Sequence, residues 1–244
     1  MSSPNPDARA TVALLRSRTR PLALAGERVL PLHPVLAGLF PGGGLRRGSV
    51  VGCRGSMSYS VALALSATAS HSGAWTALVG VRGLGLAAAA EWGMSLERLV
   101  GVGVAGCDAP DRTRTDHAVP ASQVLAAAID GFDIVIASSA GIRPSEARRL
   151  AARLLQRGSV LLLIGHSGAF EVDLVCSAQR PRWWGVGSGH GRLLRRAVEL
   201  EVSGRRADRA RCAALWFPSS DGGVAAREHR GVEQAEPLRV TLTG

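Results

Sequence analysis

Between residues 49 and 164, short apolar runs alternate with longer Ala- and Leu-rich stretches at helical spacing. Residues 49–53, 74–79, 99–104, 134–137 and 160–164 have the pattern of strands. Residues 58–72, 84–93, 119–130 and 144–157 have the pattern of helices, and Pro120 fits the first turn of its helix. Strands that are apolar on both faces, separated by helices of about 10–15 residues, predict a parallel sheet covered by helices on both sides. After Gly165 the rhythm changes. Residues 172–177, 193–202 and 213–217 read as strands with no helix between them, which predicts antiparallel strands at the edge of the sheet. The fold class is therefore α/β, mostly parallel and flanked by helices, with antiparallel edge strands near the C-terminus.

Three segments follow. Residues 1–30 form an N-terminal arm, in which residues 8–18 could form a short helix ended by Pro21. Val12 and Leu15 would share its face, and packing on the domain is preferred over docking a partner. Residues 31–218 form the core domain. Residues 219–244 form a partly flexible tail, where 239–242 either add a last strand or stay mobile.

Composition refines this picture. Hydrophobic residues make up 46% of the chain but aromatics only 4%, so the core must be built from Ala, Val and Leu. All 29 basic residues are Arg and none is Lys. Schiff-base chemistry, a lysine base and a P-loop lysine are thereby excluded. The net charge of +10 favours an acidic partner, and it is spread evenly along the chain, with no basic tail. Cys53, Cys107, Cys176 and Cys212 form no CxxC pair, so neither a zinc site nor a disulfide framework is expected. No apolar run approaches the length that spans a bilayer. The expectation is a soluble cytoplasmic protein without membrane contact.

The candidate chemistry sits after the first strand. A P-loop reads G-x-x-x-x-G-K-[ST], where the Lys reaches phosphate and the hydroxyl holds magnesium. Here the positions run Gly52-Cys53-Arg54-Gly55-Ser56-Met57-Ser58-Tyr59. Met57 stands at the second glycine, Ser58 at the lysine and Tyr59 at the hydroxyl position. A Cβ at Met57 hinders the tight bend around a phosphate, and Ser58 removes the fixed charge. The acidic magnesium anchor expected after residues 134–137 is Ser138, while Asp133 lies at the wrong end of that strand. No catalytic residue, cofactor or metal is expected.

Candidate contact residues lie between Arg180 and Arg211, which holds nine Arg against Glu199, Glu201 and Asp208. Arg180, Arg182, Arg192, Arg195, Arg196, Arg205 and Arg206, with Trp183, Trp184 and His190, could bind phosphates and stack bases. An acidic protein surface could use the same groups, and the simplest alternative is a solvated hairpin with its Trp rings packed on the sheet. On the helix 144–157, Arg149, Arg153 and Arg157 share a face. A solvated face is preferred there over a docking site.

The segment Leu39-Phe40-Pro41-Gly42-Gly43-Gly44-Leu45-Arg46-Arg47-Gly48-Ser49-Val50-Val51 resembles the entry to a RecA-type core. Residues 88–99 resemble the stretch joining a helix to the next strand in that family. Trp183-Trp184-Gly185-Val186-Gly187-Ser188-Gly189-His190-Gly191-Arg192 is similar to RecA-like accessory proteins of bacterial mutagenesis cassettes, best of all the actinobacterial ImuA-prime type. The resemblance covers residues 30–205. It implies a RecA-like fold and a non-catalytic component of an SOS-induced mutasome in translesion DNA synthesis. It also implies an ImuB-type polymerase homologue as partner and, through it, an error-prone C-family polymerase. RecA and DNA stay open as further partners. The alternatives are a SulA-like regulator of cell division and a sequence-tolerant DNA-binding module.

Overall fold

The computed structural model describes residues 29–81, 83–104, 119–186 and 191–227. The segment 8–18, the segment 239–242 and His190 lie outside the described residues.

The first parallel strand, β3 (Val50–Arg54), follows a small antiparallel ribbon of β1 (Val29–Pro31) and β2 (Gly44–Arg46). The four-residue α1 (Pro34–Ala37) lies between the ribbon strands. Next come α2 (Ser58–His71), β4 (Thr76–Val79), α3 (Leu86–Glu91) and β5 (Leu99–Val102). They are followed by α4 (Ala121–Gly131), β6 (Ile134–Ala137), α5 (Pro144–Arg157) and β7 (Val160–Ile164). Four more strands end the described chain: β8 (Leu174–Val186), β9 (Gly191–Ser203), β10 (Arg211–Trp216) and β11 (Ala225–Ala226). The last of these lies inside the segment 219–244 set apart above as a tail.

Strands β3 to β11 form one sheet in the order β11-β10-β9-β8-β3-β7-β6-β4-β5. The six strands from β8 to β5 run parallel, and β9, β10 and β11 extend the sheet antiparallel. The fold is thus α/β, with a mostly parallel sheet, flanking helices and antiparallel strands. Among the described residues, no helix is long and apolar enough to cross a membrane.

Each face of the sheet has its own core. Val51, Cys53, Ile134, Ile136 and Leu162 point toward α2, which buries side chains all round, Ser66 and Ser70 included. Val50, Ala77, Val135, Leu161 and Leu163 point toward α4 and α5. Helix α5 is amphipathic: Ala147, Leu150 and Leu154 are buried, while its arginines face outward.

The expected direction of the segment 172–177 needs correction. It is not an antiparallel edge strand but the start of β8, parallel to β3, with Cys53 opposite Cys176. The crossover of residues 165–173 makes this possible by lying across β3. A Cβ on Gly52 would come within 3.2 Å of Ser167 Oγ and 3.5 Å of a Val172 methyl. A side chain there would press on the Ser167 side chain of the crossover, which glycine avoids. Strand β8 runs on to Val186 and β9 starts at Gly191, so the glycine-rich stretch 185–191 contains the ends of two long strands.

Buried and half-buried carboxylates tie the elements together. Asp133 accepts from the Trp75 amide at 3.0 Å and from Arg47 at 3.1 Å, so it is a structural bolt at the start of β6. Asp130 at the end of α4 accepts from Arg153 at 2.7 and 2.6 Å and from Arg157 at 3.0 Å. Two arginines of the helix face read above as solvated, Arg153 and Arg157, are thereby held by the neighbouring helix. Burial alone would raise the Asp130 carboxyl, but the two guanidiniums outweigh it and hold it below its ordinary value. A depressed carboxyl contributes stability above its unfolded value of about 3.9, lost as the pH falls through the folded value. Asp130→Asn is expected to lower the Tm at neutral pH, and its gap to the parent should close as the pH drops below about 3.9. Thermal melts across that range check this; a gap that stays constant with pH would contradict it.

Candidate functional site

The turn that carries the P-loop resemblance is short. Gly52, Cys53 and Arg54 belong to β3, and Ser58 already begins α2. Only Gly55, Ser56 and Met57 are left to connect strand and helix. Gly55 adopts φ +82, a conformation that favours glycine, and its carbonyl accepts from the Ser58 amide at 3.2 Å. Met57 is 4% exposed and its side chain belongs to the core beside α2. Ser58 is buried too, whereas Tyr59 is exposed.

The loops that follow the neighbouring strands hold one another. Ser138 lies on the surface, and its hydroxyl accepts from the Ala140 amide at 3.3 Å. Ser139 is buried and donates to the His166 carbonyl at 2.6 Å. Arg54 reaches Ser167 at 3.5 Å. The loops after β6 and β7 are therefore fastened to each other. Among the described residues, no group of three His, Cys, Asp or Glu side chains could hold a metal ion. The paired Cys53 and Cys176 are fully buried. Burial pushes the Cys53 thiol up to about 12, and burial together with its neighbour raises Cys176. Both stay neutral and are poor nucleophiles.

The second region is the antiparallel extension. Strands β8 and β9 form a long hairpin with bulges between Gln179 and Arg182 and between Trp184 and Val186. The alternation of the strands sends the two adjacent tryptophans to opposite faces. Trp183 lies on the α2 side, with the Arg196 guanidinium 4.8 Å over its ring. Arg196 Nε also donates to the Phe217 carbonyl at 2.7 Å, and burial pulls its pKa below the ordinary arginine value. Trp184 lies on the other side, edge-on to Trp216 at 5.2 Å. Arg195 stacks 4.0 Å over Trp216, and Arg227 lies 5.6 and 5.5 Å from the two rings.

The predicted contact residues thus separate into groups. Arg205 pairs with Glu171 at 2.8 Å, Arg206 with Asp173 at 2.6 Å, and Arg180 with Glu199 at 3.2 Å. Together with Arg196 they bind the chain to itself. Arg182 and Arg192 are exposed, and Arg195 is gathered with Trp184. Trp216 and Arg227 complete that cluster and were not singled out from the sequence. For Trp216 the only signal was the alternation of β10, which does not reveal its partner strand, and Arg227 follows the two-residue β11, which carries no period.

Fold and site together define a class: an α/β domain with a helix-flanked, mostly parallel sheet, whose first strand-to-helix turn is closed and whose antiparallel extension carries Arg and Trp. The pattern of the MT3502 N-terminal domain family matches residues 38–168, and the chain belongs to that family. It is 33% identical to the uncharacterized protein Rv3395c of Mycobacterium tuberculosis (strain ATCC 25618 / H37Rv) over 201 residues, covering 78% of this chain and 91% of that protein.

Proposed function

We propose that this chain is a RecA-like, non-catalytic accessory protein of the actinobacterial ImuA-prime type, which recruits partners for translesion DNA synthesis. The observation that carries the reading is the three-residue link Gly55-Ser56-Met57, closed by a buried methionine. A phosphate cradle needs a loop of backbone amides, a lysine and a magnesium-binding hydroxyl. Here the position of the second glycine holds a buried methionine, the chain has no Lys, and Ser138 stands where the second magnesium anchor is expected. The family match with a mycobacterial relative supports the actinobacterial assignment. The domain would act by binding an ImuB-type polymerase homologue, which in turn works with an error-prone C-family polymerase.

Two measurements test this. Titration with ATP and magnesium is expected to give no saturable binding and no DNA-stimulated hydrolysis; tight binding with hydrolysis would reject the non-catalytic reading. Co-purification is expected to retain the ImuB-type homologue. Retention of the cell-division GTPase instead would move the chain to the SulA-like class.

A further inference from the structure

The β8–β9 hairpin outruns its neighbours. Strand β3 ends at Arg54, opposite Ser177, and β10 ends at Trp216, opposite Ala197. One residue further, the Phe217 amide donates to the Arg196 carbonyl, and the Arg196 amide donates to the Pro218 carbonyl. Beyond Arg196, among the described residues, no strand pairs with the outer edge of β9. Leu193 and Leu194 lie on that stretch and are 56% and 46% exposed. They are adjacent in sequence, whereas the other exposed large hydrophobics among the described residues stand singly.

An unpaired strand edge with apolar side chains is a template for another strand. The other outer edge of the hairpin differs, because Pro181 interrupts β8 and has no N–H to offer. Charge narrows what the β9 edge would accept. Residues 181–196 contain no Asp or Glu, and Arg192 is exposed at the start of the edge. A second copy of the chain fits poorly. Antiparallel pairing centred on Leu193 and Leu194 would set Arg192 of each copy opposite Arg195 of the other, and like charges directly opposite destabilise. A nucleic acid has no peptide backbone to extend the sheet and no aliphatic groups to cover the leucines. An acidic polypeptide supplies both, together with the opposite charge.

We propose that the outer edge of β9 from Arg192 to Leu194 takes an extended segment of a partner protein as an added strand. The segment sets aliphatic residues against Leu193 and Leu194, and carboxylates flank them toward Arg192. The register shift between Trp184 and Val186 keeps the paired stretch short. This names a recruiting edge and rests on the recruitment reading above for the existence of a protein partner.

The test uses the full chain and a fluorescein-labelled peptide of alternating Val and Leu with Glu at both ends, read by anisotropy. Successive amides of a strand point to opposite edges. Backbone N-methylation of one alternate set of the peptide's amides should therefore weaken binding at least about tenfold, while methylation of the other set leaves it unchanged. Leu193→Ser should weaken binding about tenfold, and Leu155→Ser, at an exposed leucine of α5, should not change it. Hydrogen exchange of the amides between Arg192 and Leu194 should slow when the peptide is bound. The methylated peptides act on the unaltered chain, so the test holds even if Leu193→Ser fails to fold. Equal behaviour of the two methylated peptides would overturn strand addition. An equal loss in Leu155→Ser would overturn its placement on β9. Tighter binding of an oligothymidylate of equal charge at the same site would overturn it in favour of nucleic acid. A dimeric parent with a monomeric Leu193→Ser variant would overturn it in favour of a second copy. If the parent and Leu193→Ser retain the ImuB-type homologue equally, this edge is not the recruiting surface and recruitment stands. If the peptide adds as a strand but the parent retains no such homologue, the edge stands and the mutasome reading fails.

Discussion

Phe217→Ala is expected to lower the unfolding free energy by about 3–5 kcal/mol, the range for truncating a buried aromatic. Phe217 is fully buried just after β10 and meets Trp92 edge-on, with ring centroids 4.4 Å apart. Trp92 caps the end of α3, so this pair joins the antiparallel extension to the helical layer beside α2. Such aromatic pairs add about 0.5–1.5 kcal/mol beyond their burial. The backbone of Phe217 also donates to the Arg196 carbonyl, and its own carbonyl accepts from Arg196 Nε. Truncation therefore removes packing while leaving those polar contacts to shift. Urea unfolding, analysed for midpoint and slope, measures the loss. A loss below about 1 kcal/mol would mean that this corner is not rigidly packed.

Asp173→Ala is expected to cost about 1–3 kcal/mol, because it leaves the buried Val50 amide without its acceptor and removes the carboxylate that holds Arg206. Asp173 Oδ2 accepts from the Val50 amide at 3.0 Å at the start of β3, and Oδ1 accepts from Arg206 Nε at 2.6 Å. One side chain thus fastens the crossover loop, the first parallel strand and the turn between β9 and β10. That turn has no room for a larger residue: at Gly204, with φ +140, a Cβ would lie 2.5 Å from the Asp173 carbonyl. Asp173→Asn keeps the acceptor and should lose less than the alanine variant. Chemical denaturation gives the two losses, and hydrogen exchange should show the Val50 amide opening first in the alanine variant. Equal losses for Ala and Asn would assign the effect to charge alone.

The sequence was legible where its pattern was local. Residues 134–137, 144–157 and 160–164 match β6, α5 and β7 to the residue, because apolar runs there are bounded by Asp133, Pro144 and Gly158. The ribbon of β1 and β2 was not legible, since three-residue strands carry no period. The departures from the P-loop pattern at residues 57–59 were visible as letters. That Met57 would turn inward depended on how β3 and α2 pack.

The arginines show the same division. A count over residues 180–211 records a basic segment but treats every guanidinium alike. Folding ties Arg205 and Arg206 to Glu171 and Asp173, turns Arg196 to the Phe217 carbonyl, and stacks Arg195 on Trp216. By itself the sequence determined the alternating α/β layers, the charge and the absence of Lys, all of which depend on residue identity and near-neighbour spacing. Only the tertiary structure decided the direction of β8, the closed turn and the company of each Trp and Arg. Strand direction and register bring together residues that no period in the chain connects.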